Sequence, residues 1–242
     1  MMEDFDFRVV VLTVPNSTRL AKGIPSYPSC LPSYEVYEGV TPKTVKPPMP
    51  SWFVGNRFLT EEGRKGTWCC MVSKLNLLKD HYEKYPDKDL LFLEDDVRFI
   101  DNFDTYFTNF MKLVPDDWDI IWIGGAHRTG THREVVPGVL KCAFMVDTEC
   151  VLFNHKIIPE LIEALEANMR DKETAGPSDG VIGTLSSKRN GYSPLTPFAC
   201  QEAGFSYIRG HNRERDFKTR FVYLNTKGRH ARSSQRLLEF YK

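Results

Sequence analysis

The chain has 242 residues, 41% hydrophobic and 26% charged, and its 32 basic residues balance 32 acidic ones. That composition supplies apolar mass for a sizeable core and predicts one soluble α/β domain. It excludes a low-complexity or repeat architecture, and no stretch approaches the roughly 18 apolar residues of a membrane span.

The opening, MMEDFDFRVVVL, carries acids where a signal peptide carries basic residues, so a cytoplasmic location is expected. Arg8 to Val14 is β-branched and bounded by Pro15, Asn16 and Ser17, which predicts a buried strand with Thr13 at its carboxyl end and a turn beyond it. The proline-rich stretch 23–50 reads as loops and short extended pieces, with room for a lid. Thr60, Glu61 and Glu62 open a helix whose apolar residues Trp68, Met71, Val72, Leu75, Leu78 and Tyr82 share one face, and Pro86 ends it.

Leu90 to Val97, LLFLEDDV, is the most informative segment. Its apolar run suits a central strand covered on both faces, and three consecutive acids, Glu94, Asp95 and Asp96, close it. Ligands of open α/β sheets bind outside the carboxyl ends of such strands. With a period of two, Glu94 and Asp96 converge on one side and Asp95 projects to the other, an arrangement suited to Mg²⁺ or Mn²⁺. The alternative is a solvated acidic turn.

Helical spacing returns over Phe103–Leu113, and Trp118–Ile123 is a second buried strand running into Gly124 and Gly125, either a place for close ligand approach or a tight turn. His127 and Arg128 follow, placed by position alone beside any ligand bound there. Strands are predicted at Leu140–Val146 and Glu149–Phe153, and an amphipathic helix over Ile157–Met169. Asp179 falls in the polar loop PSDGVIG, as a general base or a capping residue, with Asp147 and Glu149 as weaker alternatives for the base. Tyr192–Phe198, with two prolines, reads as an edge or irregular strand leading to Gln201. From Gly204 onward basic residues, Arg209 and Arg213 among them, far outnumber Glu214, Asp216 and Glu239, so the chain divides into a catalytic domain over 1–203 and a basic segment over 204–242 packed on it. Such a segment suits a nucleotide diphosphate or a nucleic acid, or is simply a solvated tail. The six cysteines, Cys30, Cys69, Cys70, Cys142, Cys150 and Cys200, lack paired zinc spacing and read as reduced, mostly buried thiols.

Neither GxxxxGK[ST] nor GxGxxG is present, which weakens P-loop and dinucleotide-binding readings. The order of motifs resembles glycosyltransferase family 25, which includes lipooligosaccharide and collagen galactosyltransferases. The matching features are VVVLTVPNSTR ending at Arg19, a helix with Gly66, Cys70 and Ser73, LFLEDDV, WDIIWIGG, Asp179 and Gln201. One departure stands out: Lys74 follows Ser73 where the family commonly has histidine. The resemblance implies a GT-A-like (Rossmann-like) mixed sheet flanked by helices, a divalent metal, and inverting transfer from a nucleotide sugar, with a UDP-sugar the leading donor. It places Glu94 and Asp96, with His211 or His230, around Mn²⁺ or Mg²⁺, and Asp179 as the base. Thr13, Arg19, Asp95, Gly124, Gly125, Arg209 and Arg213 would bind the donor, Asp95 touching its ribose or bracing the loop. The expected acceptor is a glycan, with a hydroxymethylated DNA base as the alternative and a non-catalytic nucleotide- or carbohydrate-binding module as a different class. A phosphohydrolase is disfavoured, because Asp119 stands at the wrong end of its strand.

Overall fold

The computed structural model describes residues 5–15, 17–55, 60–128, 132–202, 204–206, 211–213 and 241–242. The chain opens with β1 (Phe7–Thr13) and β2 (Tyr34–Glu38), followed by the long helix α1 (Glu61–Lys84). Next come β3 (Asp89–Glu94), β4 (Val97–Phe99), α2 (Phe103–Met111), β5 (Ile120–Trp122) and β6 (Ala126–His127). A hairpin of β7 (Arg133–Val136) and β8 (Val139–Lys141) leads to β9 (Met145–Val146), β10 (Cys150–Phe153), α3 (Ile158–Arg170) and α4 (Ser178–Lys188). β11 (Gly191–Pro194), β12 (Ala199–Gln201), β13 (Gly204–Ser206) and β14 (His211–Arg213) complete the series.

Eight strands form one mixed sheet in the order β2-β1-β3-β10-β5-β11-β8-β7. β1 is parallel to β2 and β3, while β10 runs antiparallel between β3 and β5, and β11 is parallel to β5. The carboxyl ends of β1, β3, β5 and β11 therefore share one edge, and β10 begins there.

Strand alternation sorts the core into two layers. Val10, Leu12, Leu90 and Phe92 pack with Trp68, Met71, Leu78, Leu161 and Ile182 of α1, α3 and α4. Val9, Val11, Leu91 and Leu93 pack on the other face with Phe103, Phe107 and Phe110 of α2. This is a single α/β unit with a mixed sheet flanked by helices, as the sequence predicts. Helix α1 starts where Thr60 accepts the Gly63 N–H at 3.2 Å, and it reaches Lys84, just before Pro86. All six cysteines are free, and no helix among the described residues is long and apolar enough to cross a membrane.

Three local expectations need correction. The single strand over Leu140–Val146 is two, since β8 pairs with β11 while β9 pairs with β6. Of the two readings of Tyr192–Phe198, the irregular one holds, since β11 stops at Pro194, and the edge one does not: β11 lies between β5 and β8 and is buried throughout. Its Pro194 is tolerated because β5 pairs only with Gly191 and Tyr192. The stretch 23–50 carries a short extended piece as expected, β2, which joins the main sheet. Asp179 stands in the first turn of α4 rather than in a loop. That helix has two internal glycines and weak propensity. Packing overrides it: a Cβ on Gly183 would lie 2.0 Å from the Met145 carbonyl, so α4 rests with its backbone directly on β9.

Candidate active site

β3 ends at Glu94, and Asp95 and Asp96 form the turn into β4. The period of two therefore stops at Glu94, and the expected pairing of Glu94 with Asp96 is replaced by a different division. The turn is held by its backbone on three sides: Glu94 N–H donates to the Glu149 carbonyl at 3.1 Å, Asp95 N–H to Leu12 at 3.1 Å, and Glu202 N–H to the Asp96 carbonyl at 2.6 Å.

Asp95 is a brace. Its Oδ2 accepts from Thr13 at 2.7 Å and Ser17 at 2.9 Å, and its Oδ1 meets the Arg19 guanidinium at 2.7 Å. Arg19 also approaches Asp96 Oδ2 at 3.4 Å, so Asp95 and Asp96, rather than Glu94 and Asp96, share a partner. This brace engages Thr13 and Arg19 together with Asp95.

Glu94 faces the α1 side. Its Oε1 accepts from Lys74 Nζ at 3.0 Å and from the Thr148 hydroxyl at 3.0 Å, and its Oε2 accepts from Gln201 Nε2 at 2.9 Å. Lys74 in turn donates to Thr148. Gln201 arrives because β12 pairs antiparallel with β4, Gln201 opposite Val97. Burial pushes the Glu94 carboxyl up, but the Lys74 charge and the hydrogen bonds from Lys74, Gln201 and Thr148 outweigh it, so the group stays ionised below its ordinary range. For Lys74, burial favours the neutral amine, and the neighbouring Cys70, Glu94 and Asp179 more than reverse this, raising it above the usual lysine value.

Asp147, Thr148 and Glu149 lead into β10 and abut the acidic turn. Asp147 takes a left-handed conformation at φ 63°, which an aspartate tolerates better than most residues, and its N–H donates to Asp179 Oδ2 at 3.3 Å. Asp179 Oδ1 accepts from Gly180 N–H at 3.0 Å. The fold thus brings Asp179 into the electrostatic field of Lys74 and beside the acidic edge, although it is distant in sequence.

Other expected residues have internal duties. A Cβ on Gly124 would meet Glu149 Cγ at 2.9 Å and the Ala199 carbonyl at 3.1 Å. Gly125 has φ +93° and would meet the Asp147 carbonyl at 2.8 Å, so the turn itself requires both glycines. His127 is buried rather than lining a cleft: its Nδ1 lies 2.8 Å from His132 Nδ1, and its Nε2 lies 3.3 Å from Ser193 Oγ. Since Ala143 N–H donates to His132 Nδ1 at 3.2 Å, the network assigns the shared proton to His127 Nδ1. Burial, with the His132 charge, pushes His127 down to about 3 and burial lowers His132, so both rings are neutral near pH 7. Arg209 and His230 lie outside the described residues. His211 and Arg213 are described as backbone partners in the β13–β14 hairpin, and their side chains are not.

As a seat for a divalent ion the edge fits in part. Among the described residues no three His, Cys, Asp or Glu side chains form a metal-holding group. Glu94 is ill suited, with an ammonium already against it. Asp96 fits better, its 3.4 Å contact with Arg19 being looser than the 2.7 Å contact of Asp95. Lys74, Thr148 and Ser17 were not expected as parts of the site. Only Lys74 had left a signal, a lysine at helical spacing from Met71 and Leu78 on an apolar face.

No known family profile and no curated protein matches the chain. Among solved structures, it is similar to a glycosyltransferase involved in glycosylation of the major capsid of PBCV-1, with TM-score 0.33 and 12% identity over 69% of this chain and 68% of that one. Mouse xyloside xylosyltransferase 1 in its apo form gives TM-score 0.38 and 8% identity over 76% and 82% of the two chains. A197 from STIV gives 0.37 and 13% over 87% and 95%. Likenesses of this size do not carry an activity.

Proposed function

We propose that the protein is a glycosyltransferase that moves a sugar from a nucleotide-sugar donor to an acceptor hydroxyl. The observation that carries this reading is the meeting of Asp179, the Asp147–Glu149 segment and the Glu94–Asp96 turn at the carboxyl edge of the sheet, where α/β folds bind ligands. The motifs that resemble family 25 fall on this edge: Thr13, Arg19, the acidic turn, Gly124, Asp179 and Gln201. A mixed sheet in which β10 and β8 run against otherwise parallel strands is also compatible with a GT-A-like nucleotide-sugar fold.

In the proposed reaction the acceptor O–H gives its proton to the Asp179 carboxylate as its oxygen bonds to the anomeric carbon. The bond from that carbon to the diphosphate oxygen breaks, its electron pair leaving with the nucleoside diphosphate. Attack opposite the leaving group inverts the anomeric centre. Arg19, oriented by Asp95 and with a side chain 29% exposed, offers its guanidinium to the diphosphate. A Mn²⁺ or Mg²⁺ ion, when bound at Asp96, would supply Lewis-acid neutralisation of that leaving group. His211, Arg209 and Arg213 stay in this reading as further donor or metal contacts, a UDP-sugar as the donor and a glycan as the acceptor. The DNA-acceptor alternative rests on the basic segment, most of which lies outside the described residues.

Thermal melting against a panel of nucleotide sugars, with and without Mn²⁺, tests the reading, because a ligand of the native state raises the melting temperature. One donor should stabilise the protein, and Asp179→Asn should keep that shift while transfer falls by about 10²–10⁴. No shift with any donor, or full transfer by Asp179→Asn, overturns it.

A further inference from the structure

Lys74 is 4% exposed on the apolar face of α1, one turn from Met71 and Leu78. Its Nζ lies 5.4 Å from the Phe92 ring centroid and contacts Glu94 Oε1 at 3.0 Å. Thr148 closes a triangle, accepting from Lys74 and donating to the same Glu94 oxygen. Gln201 takes the other Glu94 oxygen. A divalent ion bound to Oε1 would need a ligand distance of about 2.0–2.2 Å, which sets it against the ammonium with no carboxylate between the two charges. The two cations are alternatives at that oxygen.

We propose that Lys74 is the fixed cation of this site: it occupies the place at Glu94 that a divalent ion would take, so that Glu94 is a counter-ion and any metal is carried by Asp96. Lys74 is then a positioning residue, joining α1, β3, the segment before β10 and β12 around one carboxylate. The inference rests on reading this edge as the donor site, but its test requires no donor and so fails or succeeds separately.

The test is titration of the full chain with Mn²⁺ alone, followed by calorimetry and by the loss of the free-ion paramagnetic resonance signal. Lys74→Met removes the ammonium from Glu94 Oε1, opens that oxygen to the ion, and should tighten Mn²⁺ binding about tenfold or more, the scale on which a neighbouring group tunes a metal site. Should that variant not fold, Lys74→Gln keeps an N–H toward Glu94 without the charge and is expected to shift affinity in the same direction. A folded Lys74 variant that binds Mn²⁺ no more tightly than the native chain overturns the proposal. So does a loss, in Glu94→Gln, of Mn²⁺ binding that the native chain shows.

Discussion

The two faces of the sheet are equally buried and built from different chemistry. On the α2 face, aromatic rings interlock: Phe103 stacks on Phe107 at 5.2 Å, Phe110 meets Phe198 edge-on at 5.7 Å, and Tyr241 reaches back to Phe198 at 5.0 Å. On the α1 face, Trp68, Met71 and Leu78 share their layer with buried Ser73, Lys74 and His81. Ser73 donates to the Cys69 carbonyl at 2.7 Å and His81 Nε2 lies 2.7 Å from the Lys88 carbonyl, both local contacts, whereas Lys74 reaches out of its helix to Glu94 and Thr148 at the acidic edge. The difference teaches where the fold couples stability to the site: on the α1 face, through one lysine.

Single truncations on the two faces should cost alike and recover differently. Phe110→Ala removes a fully buried ring and is expected to cost about 3–5 kcal/mol in urea unfolding. Lys74→Met leaves the half-buried Glu94 without its counter-charge, a loss toward the lower end of the roughly 3–5 kcal/mol of a broken buried pair. Adding Glu94→Met to Lys74→Met should restore much of that loss, because neutral, well-packed groups replace a broken pair. Adding a second truncation beside Phe110 should only enlarge the cavity. If the Lys74 and Glu94 losses simply add, the pair is not the coupling element and the contrast between the faces collapses.

Acid should weaken the face with polar groups. The His81 and His127 pKa values are lowered, chiefly by burial, so the native state keeps them neutral while the unfolded chain takes up protons near pH 6.5. A depressed pKa of this kind contributes stability that is intact above about 6.5 and is lost as pH falls toward the folded value. For His127, pushed down to about 3, the loss by pH 5 is about 2 kcal/mol. The urea midpoint should therefore drop between pH 7.5 and 5, and His127→Gln should flatten that slope. An equal slope in the variant would remove His127 from the account.

The same contrast explains what could be read in the sequence. Burial patterns are written locally, so α1, α2, α3, β1, β3 and β5 fall close to where periodicity puts them. The α4 helix and the interior place of β11 are not, since a glycine pressed on Met145 and a proline opposite Val139 take their meaning from partners far along the chain. Glu94, Asp95 and Asp96 stood out as a motif, yet their division between Lys74 and Arg19 depends on a turn that interrupts strand alternation. Gly124 and Gly125 read equally as a ligand approach or a tight turn, because a sequence does not display the Glu149 side chain and Asp147 carbonyl that crowd the turn they form.

The smallest expected effect separates the helix that carries Lys74 from the role of Lys74 itself. Thr60 caps α1 through Gly63, with Glu61 and Glu62 in the first turn, whereas α4 begins after Pro177 with no side-chain cap and is held by backbone contact with β9. Thr60→Ala removes one capping bond at an exposed end and should cost about 1 kcal/mol. Lys74 lies nearly four turns farther along, in a part of α1 fixed by packing, so Mn²⁺ affinity should be unchanged in this variant. A change in Mn²⁺ affinity on Thr60→Ala would mean that α1 moves as a rigid body against the sheet, and that the Lys74 contact answers to helix stability as a whole rather than to its own pairing with Glu94.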